Sequence, residues 1–220
     1  MDGKFNAAKK ALGFVKSGMV VGLGTGSTSE VFIKLLGKKV KEEKMKIVCV
    51  PTSVRSERIA RKAGLVVRKL NDAGGIDLAV DGADQVDERL NLIKGYGGAL
   101  FREKVVDYGA KRFVVIVDES KLRRELGGLV PLEVSQFAVE QVRRQLRKHG
   151  MEGKIRMKNG RKFVTDNGNF IVDVYLAGID DPKKVDAFLR GIPGVIETGI
   201  FRENVWRVVA GGKADARVLG

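Results

Sequence analysis

Three short segments of this chain carry residue types that could do chemistry on a small anionic ligand. The first is Gly22-Leu23-Gly24-Thr25-Gly26-Ser27-Thr28, where an apolar run from Met19 to Leu23 gives way to a helix-like stretch. Glycines let a backbone approach an anion closely, and a helix N-terminus offers N–H groups and a favourable dipole. Thr25, Ser27 and Thr28 add hydroxyl donors, so the segment reads as a phosphate cradle. The alternative is a glycine-rich turn with Ser27 as a helix N-cap. The Gly-Lys-Ser/Thr ending of a nucleoside-triphosphate loop is absent, and the third glycine of a dinucleotide fingerprint is missing from its place.

The second segment is Asp81-Gly82-Ala83-Asp84, directly after the strand-like run Ile76 to Val80. Ligands of parallel sheets bind beyond the carboxyl ends of the strands, so both acids would face the crevice of the glycine loop if the two strands share a sheet. Asp84 and Asp87 could instead cap turns. Carboxylates can also bind magnesium, although no further acidic or histidine cluster completes such a site. The third segment is Lys94-Gly95-Tyr96-Gly97-Gly98-Ala99, followed by Glu103. A lysine before a glycine-rich bend is held close to backbone and ligand. Glu103 falls early in the helix those glycines introduce, where a negative charge is favoured and can point back towards the loop. Taken alone, Glu103 reads as a solvent-exposed partner of Arg102 or Lys104. His149, the one histidine, lies far along the chain on a polar helix and reads as a surface residue, which argues against histidine catalysis and a zinc site.

The elements that must position these residues can be read from apolar periodicity. Phe5, Ala8, Leu12 and Val15 fall near helical spacing and predict an opening helix. Strands are expected at Met19–Leu23, Ile47–Val50 (stopped by Pro51), Leu65–Arg68, Ile76–Val80 and Arg112–Val117. Between them stand helices at Ser27–Leu36, Ser53–Ala63 (closed by Gly64) and Gly98–Tyr108. This alternation predicts an α/β fold, a mostly parallel sheet with helices on both faces. The pattern changes near Gly127–Gly128. Leu132–Ser135, Lys154–Met157, Arg161–Thr165, Phe170–Tyr175 and Gly194–Thr198 read as strands, with Asn159-Gly160 as a hairpin turn. Gln136–His149 and Pro182–Leu189 read as helices, the second capped by Asp181. A smaller α+β domain follows. The expected organisation is residues 1–128 and 203–220 as the catalytic α/β domain, with Trp206–Val209 returning to its sheet, and residues 129–202 as the smaller domain, in oligomer contacts.

The chain has 220 residues, 44% of them hydrophobic, enough for one large domain or a medium one with an appendage. No segment approaches the roughly 18 consecutive apolar residues of a membrane span. The opening residues show a lysine-containing amphipathic pattern rather than a long apolar signal region, so a cytoplasmic location is expected. Cys49, the single cysteine, lies between Val48 and Val50 and reads as a buried strand thiol. The formal net charge of +14 could serve nucleic-acid contacts. The basic residues are scattered and not interleaved with aromatics, however, so a charged, heat-resistant surface that attracts anionic substrates is the favoured reading.

In order and spacing, TGST at 25–28, DGAD at 81–84, KGYGGA at 94–99 with Glu103, and Ser120-Lys121 resemble ribose-5-phosphate isomerase of the A type. The resemblance covers most of residues 1–122; the second domain agrees in length and general pattern. It implies interconversion of D-ribose 5-phosphate and D-ribulose 5-phosphate in the pentose phosphate pathway, without cofactor or metal, by a homodimer or homotetramer. It further implies that Glu103 carries the proton between C2 and C1 and that Lys94 and the glycine backbone stabilise the enediolate. Asp81 and Asp84 would bind sugar hydroxyls, with Asp81 assisting ring opening. Thr25, Gly26, Ser27, Thr28, Gly82, Ala83, Gly95, Tyr96, Gly97 and Lys121 would also contact substrate. Many members carry glycine where this chain has Tyr96. An amino-sugar-phosphate deaminase would typically use a histidine near its site. A sugar-phosphate-sensing regulator would normally need a DNA-binding module, and no helix-turn-helix segment is visible. No nucleic-acid or membrane partner is expected.

Overall fold

A computed structural model describes residues 3–220. The chain opens with α1 (Gly3–Ala11), whose Ala7, Ala8 and Ala11 are buried, and continues through a 3-10 turn at Leu12–Phe14. Strand β1 (Val20–Leu23) leads into α2 (Ser27–Glu42), which runs past its expected end at Leu36. Gly37 does not break it, because its missing side chain admits the Ala63 carbonyl: a Cβ there would lie 2.5 Å from that oxygen. Strand β2 (Val48–Pro51) takes in Pro51 as its last residue, and α3 (Val54–Lys62) follows. Ser53 caps α3 by accepting from the Ser56 N–H at 3.0 Å. Next come β3 (Leu78–Asp81), β4 (Gln85–Val86), β5 (Leu92–Ile93), α4 (Leu100–Gly109) and β6 (Phe113–Asp118). The remaining elements are β7 (Gly128–Val134), α5 (Val139–Lys148), β8 (Gly153–Ile155), β9 (Met157–Lys158), β10 (Arg161–Lys162) and β11 (Phe170–Leu176). Then α6 (Pro182–Arg190), β12 (Val195–Thr198), β13 (Ile200–Phe201), β14 (Val205–Gly211) and β15 (Ala216–Leu219) complete the chain.

Contact density divides the chain into two units. Unit 1 takes the chain up to Ala83, Arg102–Leu122 and Glu203–Gly220; unit 2 takes Asp84–Phe101 and Arg123–Arg202. Residues 84–101, assigned to the first domain from sequence, therefore cluster with unit 2. The reason is strand pairing: β5 pairs with both β4 and β13 in a small antiparallel sheet. Such two-residue strands leave no periodicity to read.

Unit 1 is built on a six-stranded sheet of order β15-β14-β6-β3-β1-β2, parallel throughout except for β15, which runs antiparallel to β14. The two sides of each strand bury different partners. Val21, Leu23, Leu78, Val80, Val114, Ile116 and Val209 form one core cluster with Ala7, Ala8, Phe32, Ile33, Leu36 and Ala60 of α1, α2 and α3. The other face is covered by α4: a Cβ on Gly22 would lie 2.7 Å from Val106 Cγ1 and 3.2 Å from Ala79 Cβ. The stretch Leu65–Arg68 does not form the expected strand, since it contributes one parallel bridge, Val67 to Cys49.

Unit 2 holds a four-stranded antiparallel sheet of order β12-β7-β11-β8, whose Val130, Leu132, Val134, Val172 and Val174 pack with Val142, Leu146 and Leu189 of α5 and α6. The Asn159-Gly160 turn joins β9 to β10 with both residues at positive φ, 52° and 74°. Asp181 caps α6, accepting from the Lys184 N–H at 3.1 Å, with Pro182 opening the helix. Among the described residues, no helix is long and apolar enough to cross a membrane.

Cys49 sits on β2 with no solvent exposure, and burial pushes its thiol up to about 12. The thiolate is the reactive form. The folded protein at pH 8 should therefore resist iodoacetamide, whereas urea-unfolded chain should take up one adduct; mass spectrometry distinguishes the two. Rapid alkylation of folded protein would contradict the burial.

Candidate active site

The carboxyl ends of β1 and β3 set the geometry of unit 1. Asp81, the last residue of β3, is fully buried. Its Oδ1 accepts from the Thr25 N–H at 2.9 Å, the Ser29 hydroxyl at 3.1 Å and the Gly82 N–H at 2.6 Å. The carboxylate lies so close to β1 that a Cβ on Gly24 would fall 1.8 Å from Oδ1. Glycine at 24 is thus a condition for Asp81 to occupy its place, which is a different reason from anion approach.

The glycine loop does end at a helix N-terminus. Gly26, at φ 120°, is the cap residue of α2 and offers no side chain to the helix. Ser27 is the first helical residue, not the N-cap, and its exposed side chain lies beside N–H groups that have no partner within the helix. Thr28 is buried. The Thr25 hydroxyl is engaged within the protein: it stands 2.7 Å from Thr52 Oγ1, 2.8 Å from Ser53 Oγ and 3.0 Å from Ser56 Oγ. The Ser56 hydroxyl donates to the Gly24 carbonyl at 2.6 Å, so this cluster holds the loop backbone.

Glu103 is 4% exposed, so the reading as a solvent-exposed partner of Arg102 or Lys104 does not describe it. Val106 packs over Gly22 and Ala79, and residues three apart share a helix face. Glu103 therefore lies one turn nearer the helix N-terminus, on the face that α4 turns to the sheet. Asp81 alternates in step with Ala79 and points to that same face of the sheet. The fold thus puts two buried carboxyl groups, Asp81 and Glu103, on one side of the sheet.

In unit 2, Lys94 is 1% exposed, and its ammonium stands 5.3 Å from the centroid of the Phe201 ring. Its backbone N–H donates to the Gly199 carbonyl at 2.8 Å. A turn follows, closed by Gly98 N–H to the Gly95 carbonyl at 2.9 Å, with Gly95 at φ 101° and Gly98 at φ 78°. Gly98 faces the Phe163 ring, which a Cβ would meet at 2.3 Å, and the α4 helix begins at Leu100, not at Gly98. Asp84 Oδ2 accepts from the Tyr96 N–H at 2.9 Å, so one of the expected sugar-binding acids also holds the lysine loop. Tyr96 is 44% exposed and donates its hydroxyl to the Leu129 carbonyl at 3.2 Å. Burial and then the Asp84 charge hold its phenol above the ordinary value, so it stays a donor at neutral pH.

Lys121 ends a 3-10 turn after β6 and lines a cavity of about 440 Å³ in unit 1, together with Lys4, Asp118, Ser120, Gly212 and Lys213. Glu119 also lines it, so three ammonium groups stand with two carboxylates there. His149 is exposed at the end of α5, its ring edge-on to Phe188 with centroids 4.8 Å apart. Asp87 caps a turn, its Oδ1 accepting from Arg89 N–H at 2.9 Å and Asn91 N–H at 2.7 Å. Among the described residues, no group of three or more His, Cys, Asp or Glu is arranged to hold a metal. Ser29, Thr52, Ser53, Ser56 and Gly199 also hold these loops, although no motif marks them. Ser29 adjoins the TGST segment. Thr52, Ser53, Ser56 and Gly199 reach the loops through contacts distant in sequence, although Ser53 also caps α3 locally.

Comparison with known proteins supplies a family. The model of ribose 5-phosphate isomerase A (phosphoriboisomerase A) matches residues 48–215. A ribose-5-phosphate isomerase A from Methanococcus aeolicus is 45% identical over 223 residues, covering 99% of this chain and 94% of the relative. The solved ribose 5-phosphate isomerase A of Methanocaldococcus jannaschii superimposes with TM-score 0.94 at 42% identity, covering 98% of this chain and 97% of that one. A D-ribose-5-phosphate isomerase in complex with phospho-erythronic acid gives TM-score 0.94 at 43% identity, covering 98% and 96%.

The close approach at Gly24 makes a stability prediction. Gly24→Ala should lower unfolding stability by about 1–3 kcal/mol, because the three hydrogen bonds on Asp81 keep it from yielding. Gly13→Ala, where a Cβ meets nothing within 4 Å, serves as the control and should cost none of this. Urea melts of the two variants test it; equal midpoints would refute the packing argument.

Proposed function

Because this chain belongs to the ribose 5-phosphate isomerase A family, we infer that it interconverts D-ribose 5-phosphate and D-ribulose 5-phosphate, a step of the pentose phosphate pathway. The observation that carries the reading at the level of chemistry is the pair of buried carboxyl groups, Asp81 and Glu103, on one face of the sheet beside a glycine loop and helix N-terminus. Aldose–ketose isomerisation needs a base that removes a weakly acidic proton next to a carbonyl and returns it to the neighbouring carbon.

In the proposed roles, the Glu103 carboxylate takes the C2 proton of the open-chain aldose. The C2–H bonding pair becomes the C1–C2 double bond, and the carbonyl pair moves onto O1. The same proton goes back to C1 as the second oxygen's pair re-forms a carbonyl at C2, and the hydroxyl proton passes between O2 and O1. No net atom is gained or lost, and no hydride acceptor is required. Such general-base help is worth roughly 10²–10⁴ in rate. Lys94 and the N–H groups of its glycine loop other than those of Tyr96 and Gly98, which are bonded within the protein, stabilise the oxygen charge of the enediolate, worth about 3–4 kcal/mol as at other oxyanion sites. Asp81 and Asp84 hold sugar hydroxyls, with Asp81 assisting ring opening. Gly82, Ala83, Gly95, Tyr96 and Gly97 line the sugar. The N-terminus of α2, with Gly26 to Thr28, and Lys121 take the remaining ligand groups, while Thr25, whose N–H and hydroxyl are bonded within the protein, holds the loop that presents them. Phosphate binding energy fixes the reacting carbons without entering the bond changes. The family reading extends to a cytoplasmic homodimer or homotetramer, which light scattering on the purified protein tests for assembly.

Glu103→Gln keeps shape and removes the base. Its kcat should fall by roughly 10²–10⁴ while ligand binding stays measurable by calorimetry. An unchanged kcat would remove Glu103 from this role. Turnover of ribose 5-phosphate should also persist in EDTA; a loss restored by magnesium would mean that Asp81 and Asp84 serve a metal.

A further inference from the structure

The turn that carries Lys94 is rich in residues that do not hold a conformation by themselves. Gly95, Gly97 and Gly98 surround Tyr96, and Gly95 and Gly98 sit at positive φ. Peptide units flanked by glycine can rotate at small steric cost, so something outside the turn must fix them. That external grip comes from a residue some sixty positions away in the chain, within unit 2.

Arg156 lies between β8 and β9. Its Nε donates to Asp173 Oδ2 at 2.9 Å and its Nη2 to Asp173 Oδ1 at 2.5 Å, a two-pronged pairing that fixes the plane of the guanidinium. Both side chains are largely withdrawn from water, 17% and 15% exposed. The remaining nitrogen, Nη1, then donates to two successive carbonyls of the lysine turn, Gly95 at 2.9 Å and Tyr96 at 3.0 Å. The first of these belongs to the same peptide unit as the Tyr96 N–H, which Asp84 Oδ2 accepts at 2.9 Å. One peptide is therefore gripped at both ends, by a cation on its oxygen and an anion on its nitrogen. In a trans peptide C=O and N–H point in opposite directions. Holding the two carbonyls towards Arg156 consequently sets where the Tyr96 and Gly97 N–H groups point. The Arg156 main chain is tied in as well, its carbonyl accepting from the Phe163 N–H at 2.9 Å, and the Phe163 ring closes on Gly98.

We propose that Arg156, oriented by Asp173, is a positioning residue for the isomerase reaction: it locks the peptide orientations of the Lys94–Gly98 turn through the Gly95 and Tyr96 carbonyls. Its guanidinium is spent on Asp173 and on the turn carbonyls. Arginine is required because only a planar fork can pair with a carboxylate and still present a donor at a fixed angle; lysine offers a point charge. The role in turnover rests on the reading of Lys94 given above, whereas the grip on the turn does not.

The test combines amide hydrogen exchange with steady-state kinetics on full-length Arg156→Ala, Arg156→Lys and Asp173→Asn. In Arg156→Ala, exchange of the Tyr96 and Gly98 amides should speed up while the β7 and β11 amides keep their protection. The kcat for ribose 5-phosphate should fall by roughly 10²-fold, with KM near the wild-type value. Arg156→Lys should not rescue it, and Asp173→Asn should lie between. Unchanged exchange at residues 95–98 together with unchanged kcat would overturn the proposal. So would faster exchange spread across β7 and β11 with kcat and KM lost together, because that is a general loss of structure. Should Arg156→Ala fail to fold, the near-isosteric Asp173→Asn carries the same comparison. Absence of turnover in the wild-type protein would defeat the functional reading of Lys94, while exchange at Tyr96 and Gly98 would still decide whether Arg156 holds the turn.

Discussion

The Asp81 carboxylate occupies the space that a side chain at residue 24 would need, and the functional end of unit 1 is arranged around that contact. Bringing β1 and β3 together in parallel register seats the acid against bare backbone. Removal of a carboxylate from water costs several kcal/mol. Three donors converge on Oδ1, and a hydrogen bond to a charged group returns about 1.5–3 kcal/mol. Two of those donors, Thr25 N–H and Ser29, stand on either side of the α2 N-terminus, so the bonds that hold the acid also fix the loop. The four-hydroxyl cluster of Thr25, Thr52, Ser53 and Ser56 then ties the loop to the start of α3.

The same logic recurs in unit 2 with the signs of charge divided between two groups. A glycine-rich turn is a poor holder of a lysine unless its peptides are fixed from outside. Here the fixing is done by Asp84 on a nitrogen and Arg156 on the oxygens, with Phe163 packed on Gly98. Lys94 itself is buried, its backbone bonded to Gly199, where a side chain would collide with the Lys94 carbonyl at 2.4 Å. Glycines at 24 and 199 thus serve close approach, while those at 95 and 98 serve turn geometry.

Burial of Asp81 and Glu103 in unit 1, and of Lys94 in unit 2, is costly in itself. Ionisable groups withdrawn from water interact more strongly with charge that develops nearby, and such groups cluster where chemistry is done. That expense accords with an isomerase in which a proton is moved and an oxyanion forms. Many other basic residues, among them Lys34, Lys38, Arg55, Arg58, Arg144 and Arg147 on α2, α3 and α5, are exposed, where their charge costs little and favours the approach of an anionic sugar phosphate.

Much of this was legible in the chain itself. Apolar runs ending in glycine or aspartate marked β1 and β3, because a fully buried parallel strand is apolar on both faces. The Asn159-Gly160 turn and the Asp181 cap were readable because both are local interactions. The tertiary structure alone decided that Glu103 is buried and not solvated, that Thr25 spends its hydroxyl on the protein, and that residues 84–101 belong with the second unit. It alone joined Arg156 to the lysine turn. Sequence reports interactions made within a few residues, because backbone geometry fixes their spacing. Pairings between residues tens of positions apart, such as Gly24 with Asp81 or Arg156 with Gly95, depend on strand register, and they exist only once the sheets have formed.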